Sequence, residues 1–288
     1  MKINLMLPTR GRPELSYRFC KSIAETASST ENIIVTILGD VDDETYSKLV
    51  SKLSEFNFIH YLPQAEAKVF PGLTWYWDQI IKQTIHQSDV FGMVADDMIF
   101  RDKNWDILIG QFFEKIPDKI GLIHFNSQSP QGANLCINSF VHKRYIEITG
   151  AYNDITLKGD YSDDFLYYIF SSIDRLGYVP NNTLEHLHYD YGKMEIDPTA
   201  LRRRAVDSEL YDGMTLADYF KSKSILLAKS HIKKLKKEMG YVEGKKGLSV
   251  AFHDPDIIYV PTSVVRDKYD HKLIVKARTY IRRLALFS

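Results

Sequence analysis

Residues 90 to 100 read Val-Phe-Gly-Met-Val-Ala-Asp-Asp-Met-Ile-Phe, an apolar run that is interrupted by two adjacent aspartates. A short apolar run of this kind is typical of a strand that is buried on both faces of a parallel sheet. Ligands of open α/β sheets bind at the carboxyl ends of such strands. We therefore expect a strand at residues 90–95 and a binding site at Asp96 and Asp97.

Strands and helices are predicted to alternate on both sides of this stretch. Apolar and β-branched runs predict strands at residues 3–7, 33–38, 58–62 and 90–95. Apolar residues at helical spacing predict helices at residues 13–27, 43–56, 73–86 and 105–116. This alternation favours an α/β fold with a doubly wound, mostly parallel sheet that is flanked by helices.

The pattern is less regular after residue 116. Strands are predicted at residues 120–125, 135–141 and 183–188, and helices at residues 163–176 and 211–239. The last of these helices ends in a lysine-rich run, so the chain is expected to close with a helical, basic extension.

The composition is that of a globular protein. The chain has 288 residues, of which 44% are hydrophobic and 26% charged, and this fits one large domain or one domain with an appendage. Cys20 and Cys136 form neither a disulfide framework nor a zinc-binding spacing. No run of eighteen apolar residues occurs, and the first residues do not continue as a signal peptide would. We expect a cytoplasmic protein without a transmembrane segment.

Charge is distributed unevenly along a chain whose net charge is zero. Residues 221–288 carry 16 Lys and Arg against 6 Asp and Glu, a net charge of +10, and the preceding residues carry −10. Residues 272–288 interleave basic and apolar residues at helical spacing. Such a helix binds an anionic membrane or nucleic-acid phosphates, or it packs on the body with a solvated basic face.

Polar side chains also follow the first two predicted strands. Thr9, Arg10 and Arg12 lie between the first strand and a helix, where guanidinium groups and free amides suit a phosphate, although a solvated turn has the same composition. Asp40 ends the second strand and is placed to accept a hydrogen bond from a nucleobase or a ribose. The nearby Asp43 is explained as a helix cap.

Three further sets of residues have chemistry that suits a catalytic centre. Asp96 and Asp97 repel each other unless a cation or a proton neutralises them. Mg²⁺ and Mn²⁺ prefer such oxygen ligands. The alternative is that the two acids lie in an ordinary surface turn or cap a helix. His186 and His188 share one face of a predicted strand and could bind the same ion, unless one is packed and the other solvated. Asp163 begins a predicted helix.

These residues and their order resemble the nucleotide-sugar glycosyltransferases of the GT-A fold, in particular the large inverting group often called family 2. The resemblance covers about residues 3–200. It rests on Thr-Arg-Gly-Arg-Pro at residues 9–13, on the acids at 40–43, on Ala-Asp-Asp at 95–97 in place of Asp-x-Asp, and on Asp163. Residues 185–197 also match a segment of phage and bacterial members.

The resemblance implies both domain boundaries and roles. It implies a catalytic domain at residues 1–205, with a nucleotide-sugar half at about 1–100 and an acceptor half at about 101–205, and a basic helical extension at 206–288. The implied binding residues for a UDP- or GDP-sugar are Thr9, Arg10, Arg12, Asp40, Asp96 and Lys193. The implied ligands of Mn²⁺ or Mg²⁺ are Asp97, His186 and His188.

The implied catalytic base is Asp163, which would take the proton of the acceptor hydroxyl in an inverting reaction. The sequence departs from the family pattern in two places: Ala95 stands where the family has an acid, and Ser162 stands before Asp163 where the family often has another acid. Asp164 is therefore the alternative base. Phage relatives modify hydroxymethylated pyrimidines, which implies DNA as an acceptor bound by the basic C-terminal region and a location in the host cytoplasm. A surface polysaccharide or a lipid-linked sugar is the alternative acceptor.

Three other functions remain open from the residues alone. A sugar nucleotidyltransferase would carry a glycine-rich loop with a lysine after the first strand, and Leu-Pro-Thr-Arg-Gly-Arg-Pro at residues 7–13 matches this poorly. A metal-dependent phosphohydrolase or nuclease could be built on the paired aspartates and the two histidines. A binding module that keeps only nucleotide affinity is the non-enzymatic alternative.

Overall fold

The first half of the fold is the predicted alternation of strands and helices. The computed structural model describes residues 1–66, 70–207, 211, 213–240 and 256–259. The strands of this half are β1 (Ile3–Pro8), β2 (Ile33–Leu38), β3 (Ile59–Tyr61) and β4 (Val90–Met93). The helices that connect them are α1 (Pro13–Thr26), α2 (Tyr46–Leu53) and α3 (Leu73–Thr84).

The second half adds shorter strands and most of the remaining helices. Its strands are β5 (Met98–Phe100), β6 (Leu122–Asn126), β7 (Ser139–His142), β8 (Leu176–His186) and β9 (Ile258–Tyr259). Its helices are α4 (Trp105–Glu114), α5 (Lys143–Thr149), α6 (Ser162–Ser171), α7 (Pro198–Asp207), α8 (Leu216–Tyr219) and α9 (Ile225–Glu238). One π-helical turn, Phe220–Ser224, joins α8 to α9.

The sheet runs in the order β3-β2-β1-β4-β7-β6-β8-β5, and β9 pairs with β8. β7 is antiparallel to both of its neighbours, and β5 and β9 are antiparallel to β8, whereas the other described strands point the same way. The prediction of an α/β fold with a mostly parallel sheet is therefore confirmed. β8 pairs first with β6 and then with β5, so its last residues reach the edge where β4 ends.

The sheet is buried on both faces. Leu5 and Leu7 of β1 lie in one hydrophobic cluster with Phe19 of α1. Met6, between them, lies in a second cluster with Trp77 of α3. Successive side chains of a strand point to opposite faces, so this alternation places α1 and α3 on opposite sides of the sheet.

Several predicted boundaries are wrong beyond residue 130. The helix predicted at residues 163–176 ends at Ser171, because Asp174 takes a left-handed φ of 55° and Leu176 already pairs with β6. The strand predicted at 183–188 is the last part of the longer β8, which ends at His186. The strand predicted at 135–141 is shortened to Ser139–His142. The helix predicted at 211–239 is replaced by α8, the π-helical turn and α9.

The C-terminal helices share the hydrophobic core of the preceding part of the fold. Leu216, Phe220, Ala228 and Leu235 lie in the same buried cluster as residues of α6. The boundary predicted at residues 205 and 206 falls within α7, and β9 adds a strand to the region predicted as helical. Residues 272–288, the predicted basic helix, lie outside the described residues. In the described part of the chain, no helix has the length and apolarity needed to cross a membrane.

Acid is expected to weaken the packing of α9 through His231. This side chain is 2% exposed and lies 3.2 Å from the Tyr145 hydroxyl, and burial lowers its pKa from 6.5 to about 4. The unfolded chain therefore binds a proton more readily, so His231 lowers the free energy of unfolding as pH falls from about 6.5 to about 4, by at most about 3 kcal/mol. Urea unfolding at pH 7 and pH 5 should show this loss in the wild type.

The matched variants are His231→Phe, which should lose that part of the pH dependence, and the exposed His86→Gln, which should keep it. Equal pH dependence in the wild type and His231→Phe would contradict the assignment.

Candidate active site

A cavity of about 330 Å³ opens at the carboxyl ends of β1, β2 and β4. Its walls come from the loop after β1, the turn between β4 and β5, the start of α6, the end of β8 and α7. Nine of the eleven predicted site residues line it: Thr9, Arg10, Arg12, Asp40, Asp96, Asp97, Asp163, His186 and His188. The topology therefore brings together residues that lie up to 179 positions apart in the sequence.

The loop after β1 is shaped by a glycine. Gly11 has a φ of 69°, and a Cβ atom there would lie 3.2 Å from Oγ1 of Thr199. Its backbone N–H donates to Oδ2 of Asp43 across 3.0 Å, which anchors the loop to the segment after β2. Glycine meets both the conformation and the close approach, so the loop can turn its flanking arginines toward the cavity.

Arg12 is the cation that neutralises the paired aspartates. Its Nη1 donates to Oδ1 of Asp96 at 2.9 Å and lies 3.7 Å from Oδ2 of Asp97. Its Nε and Nη2 donate to the two carboxylate oxygens of Asp197 at 2.7 and 2.8 Å. Thr9 donates a further hydrogen bond to Oδ2 of Asp96 at 2.7 Å.

The two aspartates differ in their protonation behaviour although each is 4% exposed. Burial raises the pKa of Asp96 to about 6 against the opposing charge of Arg12, and adjacent Asp97 adds to the rise. Burial also opposes ionisation of Asp97, but His186 and Arg12 hold the pKa of Asp97 below its usual range. A carboxyl group with a pKa of about 6 is mostly ionised at pH 7, so both aspartates are charged at neutral pH, and Asp96 is the one that takes up a proton first as the pH falls.

Asp97 and His186 form the part of the site that could hold a metal ion. Nε2 of His186 lies 3.1 Å from Oδ1 of Asp97, yet this oxygen and Nδ1 of His186 are buried atoms without a hydrogen bond of acceptable geometry. A carboxylate oxygen and an imidazole nitrogen are ordinary ligands of Mn²⁺. No set of three or more His, Cys, Asp or Glu side chains among the described residues is arranged to hold an ion. An ion at this point would take its remaining ligands from water or from oxygens of a bound substrate.

His188 reaches the cavity by a different route from the predicted one. β8 ends at His186, so the two histidines do not share a strand face; His188 instead caps the 3-10 turn Tyr189–Tyr191, and its Nδ1 accepts from the Asp190 N–H at 3.3 Å. The two imidazole rings still lie 4.9 Å apart. Burial lowers the pKa of His188 to about 4, so this ring is neutral near pH 7.

Asp40 is surrounded by hydrogen-bond donors. Its Oδ2 accepts from Arg10 at 3.0 Å and from Arg202 at 2.9 Å, and its Oδ1 accepts from the hydroxyl of Tyr76. The residue is 2% exposed. Asp40 therefore fixes the position of three donor groups at one end of the cavity, a role that its place in the sequence did not indicate.

α7 contributes residues that the sequence analysis missed. Besides the contact of Arg202 with Asp40, Arg203 donates to Asp160 at 2.7 Å and Arg204 donates to Asp190 at 2.7 Å. Three consecutive arginines therefore tie this helix to three separate loops around the cavity. The run Arg-Arg-Arg was the available signal, but its partners lie 14 to 162 residues away in the sequence.

The remaining predicted residues are separated by the structure. Asp163 lines the cavity at the N-terminus of α6. Asp164 is buried, with 6% exposure, and is outside the cavity lining. Lys193 is also outside the lining. Its Nζ donates to Oε1 of Glu185 at 2.9 Å, and Arg101 forms an ion pair with the same glutamate. The geometry thus favours Asp163 over Asp164 and moves Lys193 away from the predicted donor site.

No family model matches the sequence, and a search of curated proteins also finds no match. The fold is similar to that of S. aureus TarS residues 1–349 in complex with UDP, with a TM-score of 0.52, 12% identity, and coverage of 88% of this chain and 75% of that chain. It is also similar to the mannosyltransferase PcManGT from Pyrobaculum calidifontis in complex with GDP-Man and Mn²⁺, with a TM-score of 0.52, 11% identity, and coverage of 99% and 84%.

A longer TarS structure is also similar, with a TM-score of 0.50 and 12% identity. The match covers 85% of this chain but only 50% of the longer TarS chain. At these identities the comparisons concern the fold. The chain has the GT-A-like fold of nucleotide-sugar glycosyltransferases, as the sequence predicted.

Removal of the Arg12 charge is expected to destabilise the protein. Arg12→Met would leave two buried carboxylates without their shared cation, and we expect the free energy of unfolding to fall by about 3–5 kcal/mol. Urea unfolding of this variant and of Arg12→Met/Asp96→Asn would measure the effect, and the double variant should recover part of the loss.

The matched control is Lys21→Met, which removes an exposed pair with Glu25 and should change stability little. An Arg12→Met protein as stable as the wild type would show that the pair is neutralised in another way.

Proposed function

We propose that the protein is a glycosyltransferase that moves a sugar from a UDP- or GDP-sugar to an acceptor hydroxyl. The observation that carries this proposal is one cavity, at the carboxyl ends of β1, β2 and β4, that joins an arginine loop, a buried aspartate pair and Asp163 in a fold shared with nucleotide-sugar complexes. Guanidinium groups suit the diphosphate, and the carboxylate of Asp163 in the same cavity suits a proton transfer.

In this proposal the donor binds along the loop after β1. Thr9, Arg10 and Arg12 line the cavity beside Asp40, and Arg202 and Arg203 of α7 line it as well, with Arg202 bonded to the same Asp40 oxygen as Arg10. The arginines would exchange part of their contact with aspartates for contact with the donor diphosphate, since phosphate oxygens accept the same planar pairs of hydrogen bonds. Asp96, held by Thr9 and Arg12, would contact the donor sugar.

The proposed metal ligands are Asp97 and His186, with His188 as a further neutral nitrogen. Mn²⁺ or Mg²⁺ at this point would neutralise the charge that builds up on the leaving diphosphate. Ions of this kind are commonly bound by one or two carboxylates together with substrate phosphates. The partial protein ligand set in the cavity is of that type.

Asp163 is the proposed base. It would accept the proton of the acceptor hydroxyl while the hydroxyl oxygen attacks the anomeric carbon. The bond from that carbon to the diphosphate oxygen breaks, and the nucleoside diphosphate leaves with the electron pair. Attack from the face opposite the leaving group inverts the anomeric configuration, and arginine contacts stabilise the charge of the leaving group.

Substitution should separate the two acidic roles. Asp163→Asn is expected to lower kcat by about 10²–10⁴-fold with donor affinity retained, because only proton transfer is lost. Asp97→Asn is expected to abolish the Mn²⁺-dependent increase in Tm on donor binding. Thermal-shift titration with UDP- and GDP-sugars, with and without Mn²⁺, followed by turnover assays would measure both effects.

Asp164→Asn is the control for the adjacent acid and should keep most of the activity. Loss of donor affinity in Asp163→Asn would reassign Asp163 to the donor site. Metal-dependent hydrolysis of phosphoesters without any sugar nucleotide would instead identify a phosphohydrolase or nuclease.

For the acceptor we propose hydroxymethylated-pyrimidine DNA, held in part by the basic residues 272–288. The charge of that segment supports the proposal, since DNA binding by lysine and arginine depends on release of counterions. Duplex DNA should be retarded in a gel at low salt, and either moderate salt or deletion of residues 272–288 should abolish the retardation. Absence of retardation at low salt would exclude DNA and favour a polysaccharide or lipid-linked acceptor.

A further inference from the structure

α9 presents a basic surface on the side opposite its buried face. Ala228, His231 and Leu235 are buried against the body, where α9 packs on α5 and α6. Residues 226, 229, 233 and 237 follow the helical period on the opposite side. Lys229, Lys233 and Lys237 are exposed there and form what we name the lysine face.

The lysine face concentrates positive charges that repel one another. Residues 221–237 contain seven lysines and no Asp or Glu. Lys229, Lys233 and Lys237 are four residues apart, so each neighbouring pair repels on the helix surface. None of the three forms an ion pair with a described residue, and Glu238, the first acid that follows, pairs with Arg144. No carboxylate of the described residues pairs with these three lysines, so the lysine face is available to an external anionic partner.

Exposed leucines distinguish between the possible anionic partners. Leu226 is 62% exposed and Leu227 is 39% exposed, and Leu226 lies one and two helical turns before Lys229 and Lys233. A nucleic acid duplex offers phosphates but no apolar layer for two leucines. The boundary between headgroups and acyl chains of a bilayer offers both an anionic surface and an apolar layer.

We propose that the lysine face together with Leu226 and Leu227 binds the surface of an anionic phospholipid bilayer. The lysine ammonium groups contact the lipid phosphates while their aliphatic stems and the two leucines enter the headgroup boundary. α9 packs on α6, whose first turn carries Asp163, so binding holds the catalytic body at the membrane surface. The inference is independent of the proposed sugar transfer.

Vesicle co-sedimentation of the full chain without any donor tests this inference. Phosphatidylcholine vesicles that contain phosphatidylglycerol should bind the protein at low salt and release it at high salt, and pure phosphatidylcholine should not bind it. Lys229→Glu/Lys233→Glu/Lys237→Glu should weaken binding by about tenfold or more. Leu226→Ser/Leu227→Ser should weaken it several-fold at unchanged charge.

The matched control is Lys21→Glu/Lys48→Glu/Lys103→Glu, which makes the same change in net charge on exposed lysines of the catalytic body and should bind nearly as the wild type does. Circular dichroism melting of every variant separates binding from folding. Equal losses in the control and in the lysine-face variant, or unchanged binding by the leucine variant, would overturn the proposal. Loss of DNA retention in the lysine-face variant, together with no binding of anionic vesicles by the wild type, would assign the surface to a nucleic acid instead.

Discussion

Burial of two adjacent carboxylates is the constraint on which the candidate site depends. Asp96 and Asp97 are each 4% exposed, and charged groups in such surroundings cost several kcal/mol unless they are paired. Arg12 supplies the shared positive charge, Thr9 a hydrogen bond and His186 a partner for Asp97. The pair therefore joins the loop after β1, the turn between β4 and β5, and the end of β8.

Pairs of arginine and aspartate also connect α7 to the site. Arg12 also holds Asp197, the residue before this helix, while Arg202 shares Asp40 with Arg10. Arg203 and Arg204 pair with Asp160 and Asp190, so ion pairs connect α7 to the loops around the cavity. A diphosphate presents the same kind of charge as these aspartates. In the proposed donor complex these arginines would divide their contacts between the aspartates and the diphosphate.

The difference between the two aspartates also bears on the proposed chemistry. Asp96 lies against Arg12 with a pKa raised to about 6, whereas the pKa of Asp97 is depressed beside His186. Adjacent acids with pKa values moved apart are suited to different tasks, one to a hydrogen-bonded contact and the other to a cation. This asymmetry supports Asp97 as the proposed metal ligand and Asp96 as the proposed sugar contact.

The sequence by itself determined the alternation of strands and helices, the strand ends that carry Thr9, Arg10, Arg12, Asp40 and the aspartate pair, and the resemblance to a GT-A fold. These features depend on local hydrophobic period and on residue type, which a single sequence records. The tertiary structure alone decided that Asp163 and not Asp164 lines the cavity, that Lys193 binds Glu185, and that Tyr76 and Arg202 hold Asp40. Such pairings depend on which loops meet when β8 crosses to β5 and α7 closes over the sheet, and separations of up to 162 residues leave no local pattern for them.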